Sequence, residues 1–186
     1  MNTLQYILLS GALSLPMMYL MQGCASRVRM RPSRGLAVSL AMAAEHTLLF
    51  LLGMLAGNWL RVGNPDYDSL VFLGFMVAVA IRMMASVSKR SMKAGAPAYD
   101  IKRWGTVLLL GVASGINLFL VGVAAGFIGD VHEGGAVAAG SLAAFSFLFI
   151  FWGFMLGHVP MPLHRRRWVL IATLAVLVIS IWTALL

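Results

Sequence analysis

The chain has 186 residues, of which 61% are hydrophobic and only 11% are charged, and its net charge is +8. An average soluble domain carries about 25% charged residues, so this composition excludes an ordinary soluble domain, a disordered chain and a disulfide scaffold. In so apolar a chain, the excess of positive charge indicates basic loops at a membrane surface rather than a nucleic-acid partner.

Six apolar stretches are each long enough to cross a bilayer as a helix, which takes about 20 residues. The segments between them hold nearly all the charge, and the six stretches leave no room for a soluble domain. We therefore predict an all-α, polytopic membrane protein that forms a single transmembrane domain over residues 1–186. The predicted spans are Thr3–Ala25, Gly35–Leu60, Ser69–Ser88, Trp104–Ile128, Gly135–Gly157 and Trp168–Leu186.

The predicted loops differ sharply in charge. The first, third and fifth loops carry four, five and three of the 14 basic residues, whereas the second loop carries one and the fourth carries none. Excess Lys and Arg mark the cytoplasmic loops of membrane proteins. We therefore predict a multi-pass protein of a bacterial inner membrane with both termini outside and a basic cytoplasmic linker over residues 89–103.

The two halves of the sequence, about residues 1–88 and 104–186, resemble each other. Three helices per half is an odd number, so the two halves would lie in the membrane as inverted repeats. Such repeats are typical of secondary transporters, whose site lies near the midplane; chance likeness between apolar helices is the alternative. The matched positions are Leu8, Leu9 and Ala12 with Leu109, Leu110 and Ala113, at a separation of 101, and Ala43, Ala44, Leu48, Gly53 and Gly57 with Ala143, Ala144, Leu148, Gly153 and Gly157, at a separation of 100.

Three charged or titratable residues lie inside the predicted spans. Glu45 and His46 come roughly 16 to 18 Å from the cytoplasmic end of the second span, and Arg82 comes roughly 10 Å from the same end of the third. An ionised group at the bilayer centre costs about 2.5 to 3.5 kcal/mol, so each needs a reason. A Glu45–Arg82 ion pair that fixes helix packing is one reading, and a transport role for Glu45 is the other. Arg82 can also reach the cytoplasmic surface.

Other polar positions lie near the middle of the first and fourth spans. Pro16 frees a backbone carbonyl one turn earlier, close to Ser14, and it falls opposite Asn117 in the repeat. Ser114 and Asn117 share a face of the fourth span. These groups can coordinate a cation or hydrogen-bond a substrate; a kinked helix with an amide bond between helices is the alternative. The candidate ion pathway therefore comprises Ser14, Pro16, Glu45, His46, Ser114 and Asn117.

Small residues one turn apart, such as Gly53 with Gly57 and Gly153 with Gly157, are typical of closely packed membrane helices. They fit a compact bundle or the seam of a homodimer. The expected partners are therefore the lipid bilayer and a second copy of the chain. The sequence contains no phosphate-binding glycine loop, no Cys–His framework and no nucleophile with a positioned base. We expect a protein that is not an enzyme and holds no resident cofactor.

The whole pattern resembles the MntP family of manganese efflux pumps, within the wider group of six-helix LysE-like exporters. The likeness is carried by Gly11-Ala-Leu-Ser-Leu-Pro-Met-Met, by Ala44-Glu-His-Thr-Leu with Gly53, by Ala80-Ile-Arg-Met-Met, and by Ala113-Ser-Gly-Ile-Asn-Leu. The resemblance implies two inverted three-helix halves and a transported small cation, Mn²⁺. It implies metal ligands at Asn117, Glu45 and His46.

The sequence departs from the family pattern at the residues that would bind the metal. The first-helix aspartate falls on Pro16, the fourth-helix aspartate on Asn117, and the second-helix glutamate on His46 with Glu45 beside it. Mn²⁺ favours oxygen ligands and accepts imidazole, so a site with one carboxylate is expected to bind weakly. Two alternatives stay open: a non-transporting membrane protein that keeps the fold with a degenerate cation site, and an exporter of a small organic solute such as an amino acid.

Overall fold

A computed structural model describes residues 3–26, 28, 31–91, 99–128, 131–157 and 165–185. Within these ranges the chain folds into six α-helices without a strand, which confirms the predicted helix number and the all-α class. Parts of the predicted linker 89–103 (residues 92–98) and of the first and fifth loops lie outside the described residues. The helices are α1 (Thr3–Ala25), α2 (Pro32–Leu60), α3 (Pro65–Ser91), α4 (Trp104–Ile128), α5 (Val131–Leu156) and α6 (Arg165–Leu185).

The helix starts explain the differences from the predicted spans. The bounds of α1 and α4 agree with the apolar stretches residue for residue, whereas the other four helices begin three or four residues earlier. Both α2 and α3 begin at a proline, which suits a first helical turn because its missing N–H would have no partner there. Asp66 and Asp68 in the first turn of α3 face the positive end of the helix dipole.

Five of these helices are long and apolar enough to cross a membrane: α1, α2, α4, most of α5, and α3 over Pro65–Ala85. The sixth, α6, contains a shorter apolar segment, Leu170–Thr183. A chain with this many apolar helices is a multi-pass membrane protein.

The six helices pack in a closed cyclic order, α2–α4–α3–α6–α1–α5, in which each helix has two principal neighbours. Every helix contributes side chains to one buried cluster, which includes Leu13, Phe50, Phe72, Leu118, Leu142 and Val176. The interior of the bundle is therefore filled by apolar side chains from all six helices. In this order α1 lies opposite α4.

Glycines set the closest approaches between helices. A methyl group at Gly53 would overlap the backbone of Phe119, and one at Gly153 would overlap the backbone of Met18. Gly57 lies in the same way against Val123, four residues further along both helices. Because residue numbers rise together along this contact, α2 and α4 run parallel, and the same holds for α1 and α5.

A second apolar cluster closes one end of the group formed by α1, α2, α4 and α5. The short segment between α3 and α4 takes part in it through Ile101, which is fully buried. At the same end, Arg34 at the start of α2 lies over the ring of Trp104 at the start of α4. The cluster comprises Met17, Met21, Cys24, Ala25, Val38, Met42, Ile101, Val107, Leu110, Ile150 and Phe154.

Candidate functional site

A buried polar pair joins α2 to α4. His46 is the central residue of α2, fourteen residues from each end, and it is fully buried. Its Nε2 lies 2.9 Å from Oγ of Ser114. These two predicted site residues are 68 positions apart in the chain, and the structure brings them into direct contact.

The hydrogen bonds around His46 leave one ring nitrogen without a partner. The Ser114 hydroxyl donates to the carbonyl of Gly111 at 3.0 Å. Because a hydroxyl has one proton, Ser114 then accepts from Nε2–H of His46, and Nδ1 carries a lone pair. That Nδ1 is buried and has no hydrogen-bond partner. A buried imidazole nitrogen with a free lone pair is a ligand for a divalent transition metal.

Glu45 brings a carboxylate to the same interface. Its Oε2 is buried without a hydrogen-bond partner and lies against the backbone of Gly111. A side chain larger than hydrogen at position 111 would displace this carboxylate. Leu48 and Leu52, one and two turns further along this side of α2, are 58% and 47% exposed. Glu45 therefore lies at the outer edge of the α2–α4 interface, while His46 points into the bundle.

Asn117 follows Ser114 by one turn of α4. It is half-buried, and its Oδ1 is a further buried acceptor without a donor. Together with Glu45 and His46 it makes three acceptor atoms on α2 and α4 that lack a partner. An unpaired buried acceptor costs free energy, and a cation is the ligand that satisfies acceptors without needing donors.

The structure brings Ser14 and Pro16 to a different interface. Ser14 is the central residue of α1, and its Oγ lies 3.3 Å from Oγ of Ser146 on α5. One turn earlier, Ser10 meets Ser141 of α5 at 3.0 Å. Pro16 is half-buried two residues further along. The predicted pathway residues thus lie on two pairs of packed helices, α2 with α4 and α1 with α5, and the side-chain contacts within these pairs are His46–Ser114 and Ser14–Ser146.

The predicted Glu45–Arg82 ion pair is not formed in the structure. Arg82 is exposed on α3, and the ion pairs among the described residues are Arg61–Asp68 and Arg103–Asp100. The prediction took consecutive helices as neighbours, but α3 packs mainly against α4 and α6. An exposed arginine nine residues before the end of its helix, or about 13 Å, fits the other reading, in which the side chain extends to the membrane surface.

The described residues contain no group of three or more His, Cys, Asp or Glu that could hold a metal ion. The donor set on α2 and α4 is therefore sparse: one imidazole, one carboxylate and one amide. The residues that sequence reasoning missed are Ser146 and Gly111. Ser146 could have been found, because it lies 100 positions after His46, the separation at which the sequence predicts repeat partners.

A family model described as "Putative manganese efflux pump" matches residues 29–184 of this chain. The chain belongs to the MntP family. No curated protein and no solved structure matches it. MntP proteins are transporters rather than enzymes, and with its apolar helices this member is a membrane protein of an efflux-pump family. All of α1, including Ser14 and Pro16, precedes the matched residues.

Proposed function

We propose that this MntP protein is a secondary transporter that exports a divalent cation, with Mn²⁺ as the first candidate. The observation that carries the proposal is the buried His46–Ser114 pair at the middle of α2, with the unpaired acceptors of Glu45 and Asn117 on the same two helices. Family membership supports the class of function. The unpartnered atoms support the class of cargo, because an imidazole nitrogen, a carboxylate oxygen and an amide oxygen are all cation ligands.

The cation site would be weak in the resting state. Mn²⁺ favours hard oxygen ligands and accepts imidazole, and Glu45 is the one carboxylate among the proposed ligands. A divalent ion then keeps most of its charge uncompensated. Weak binding is compatible with export, because a carrier has to release its cargo on the far side.

We further propose that the two halves, 1–88 and 104–186, are inverted repeats. Exchanging α1 with α4, α2 with α5 and α3 with α6 leaves the set of principal helix pairs unchanged. Because α4 runs parallel to α2, and consecutive spans run in opposite directions, α4 runs opposite to α1, its partner in the other half. That is expected when one half is turned over relative to the other.

Equivalent residues make equivalent contacts in the two halves. Gly53 meets Phe119, and its partner Gly153 meets Met18, the residue 101 positions before Phe119. The polar pairs follow this rule to within one residue: His46 pairs with Ser114, while its partner Ser146 pairs with Ser14, which matches Gly115, the residue after Ser114. The midplane positions of the repeats therefore carry an imidazole on one side and hydroxyls on the other.

The orientation with both termini outside, in a bacterial inner membrane, stays part of this proposal. In its support, the basic segment that leads into α4 meets the start of α2 through Arg34 and Lys102. The acidic first turn of α3, with Asp68, follows the opposite end of α2. Basic loops thus gather at one end of the bundle, as the positive-inside rule requires of a cytoplasmic face.

Metal binding to the purified chain tests the proposal. We expect Mn²⁺ to bind in a calorimetric titration, and His46→Ala to weaken binding by roughly tenfold or more, as expected for a lost metal ligand. Ser39→Ala is the matched control, because Ser39 is buried on the same helix and its hydroxyl donates to the carbonyl of Gly35 in that helix. Absence of binding to the wild type would favour the non-transporting alternative. Equal binding by wild type and His46→Ala would remove His46 from the site.

A further inference from the structure

We propose that the segment Tyr99–Arg103 is a gate over the basic end of the bundle, latched by Arg34, and that it lifts when cargo passes between that end and the His46–Ser114 pair. The inference rests on the proposed function for the identity of the cargo. The gate itself is argued from contacts that do not involve a metal.

The first observation is the position of Ile101. It lies in the short non-helical segment before α4, where side chains are ordinarily exposed, yet its exposure is 0%. Its side chain belongs to the cluster that includes Met21, Val38 and Phe154. One loop side chain therefore closes the apolar end of four helices.

The second observation is the latch. Nη2 of Arg34 donates a 2.7 Å hydrogen bond to the carbonyl of Lys102, the residue next to Ile101. The guanidinium carbon of Arg34 also lies 4.6 Å from the ring centroid of Trp104, a cation–π distance. A single side chain from α2 thus holds both the segment and the start of α4.

The segment is built to move as a unit. Two backbone bonds run within it, from Ile101 N–H to the carbonyl of Tyr99 at 3.0 Å and from Arg103 N–H to the carbonyl of Asp100 at 3.2 Å. The carbonyl of Arg103 accepts from the first turn of α4 and so joins the segment to that helix. Asp100 also accepts from Lys102 N–H at 3.1 Å. Lifting the segment about its junction with α4 at Arg103 leaves the bonds within it intact and breaks the contacts of Ile101 and Arg34.

The cluster lies between the basic end and the polar pair. Met42, a member of the cluster, is one turn before His46 on α2, and Leu110 is one turn before Ser114 on α4. A cation that reaches the pair from this end has to cross the cluster. Further along, α2 and α4 are joined backbone to backbone at Gly53, Gly57, Gly122 and Gly126, so the basic end is the part of this interface that depends on side chains alone.

The chain's single cysteine reports on the gate. Cys24 is 5% exposed and belongs to the same cluster as Ile101. We would measure the rate at which a small, water-soluble methanethiosulfonate modifies Cys24 in the full-length, detergent-solubilised protein without metal. Arg34→Ala and Ile101→Ala should raise this rate by roughly tenfold, since a charge-assisted bond or the buried plug is lost. Arg103→Ala, which removes only an exposed ion pair with Asp100, should leave it unchanged.

A milder variant controls for misfolding. Trp104→Leu removes the cation–π contact at a partly exposed position and keeps the Arg34–Lys102 bond, so it should raise the rate by a smaller factor. Equal rates in wild type, Trp104→Leu and Ile101→Ala would overturn the gate. An equally large increase in Arg103→Ala would do so as well, because it would reflect general loosening.

A final arm connects the gate to cargo. Attaching a bulky maleimide to Cys24 should stop Mn²⁺ transport in liposomes, and Cys24→Ala treated with the same reagent should transport as before. If labelling follows the gate variants but Mn²⁺ neither binds nor moves, the gate stands and the proposed function fails. If Mn²⁺ moves equally with and without the maleimide, this end is not on the cargo path and the proposal is overturned.

Discussion

The close approach of the helices at glycine gives the sharpest structural prediction. Gly53→Ala and Gly153→Ala should both destabilise the protein, because a new methyl group would overlap backbone atoms of the facing helix. Gly74→Ala and Gly140→Ala are the matched controls. These two glycines are exposed mid-helix positions where a methyl group meets nothing within 4 Å.

The magnitude follows from comparing the two sets. Replacing Gly by Ala in a helix gains about 0.5 to 1 kcal/mol in propensity whatever the neighbours, and this gain cancels in the difference. Overpacking costs about 1 to 3 kcal/mol, and the backbone atoms facing Gly53 cannot move by a rotamer change. For a chain of this length, each kcal/mol shifts the melting temperature by about 2 to 4 °C. The interface variants should therefore melt about 2 to 12 °C below the controls.

Thermal unfolding of the purified protein in one detergent, followed by circular dichroism, measures this difference. Equal losses in Gly53→Ala and Gly153→Ala would support the inverted repeat, because the two positions are partners in the proposed repeat. Melting temperatures for the interface variants at or above those of the controls would refute the reasoning. A large loss at only one of the two positions would contradict the equivalence of the halves.

Three further substitutions test single features. Arg82→Gln should change the free energy of unfolding by no more than about 0.5 kcal/mol, as for exposed sites. A large loss of stability would reveal a partner for this arginine. Asp68→Ala should cost about 1 to 3 kcal/mol, because the buried carboxylate accepts from two backbone N–H groups, and Asp66→Ala, whose carboxylate is exposed, is the control; equal melting of both variants would contradict this. Gly111→Ala should displace the carboxylate of Glu45 and weaken Mn²⁺ binding in the titration, and unchanged affinity would exclude Glu45 as a ligand.

The sequence predicted the helices well and their neighbours poorly. Six apolar stretches of spanning length leave little choice of secondary structure, and α1 and α4 follow them residue for residue. Apolar residues face both the lipid and the interior, however, so hydrophobicity does not say which side of a helix packs. Leu48 is 58% exposed while Leu118 is 1% exposed, and nothing in their residue type separates them.

For the candidate site as well, the sequence predicts the residues but not which of them are neighbours. Residue chemistry predicted His46 and Ser114 as site residues, and the packing of α2 on α4 brings the two side chains into contact. The assumed pairing of Glu45 with Arg82 failed because consecutive spans were taken as neighbours, a rule that usually holds for connected elements and does not hold for α2 and α3. Ser14 and Asn117, predicted to share one site, lie on helices opposite each other in the bundle.

Transport of Mn²⁺ by the reconstituted protein tests the central claim most directly. Liposomes that contain the full chain and enclose a fluorophore quenched by Mn²⁺ would be exposed to an external Mn²⁺ gradient. The proposal predicts quenching with the wild type and with Ser39→Ala, and quenching no faster than in protein-free liposomes with His46→Ala. Wild-type quenching at the protein-free rate, or equal rates for wild type and His46→Ala, would contradict a cation path through the buried pair on α2 and α4.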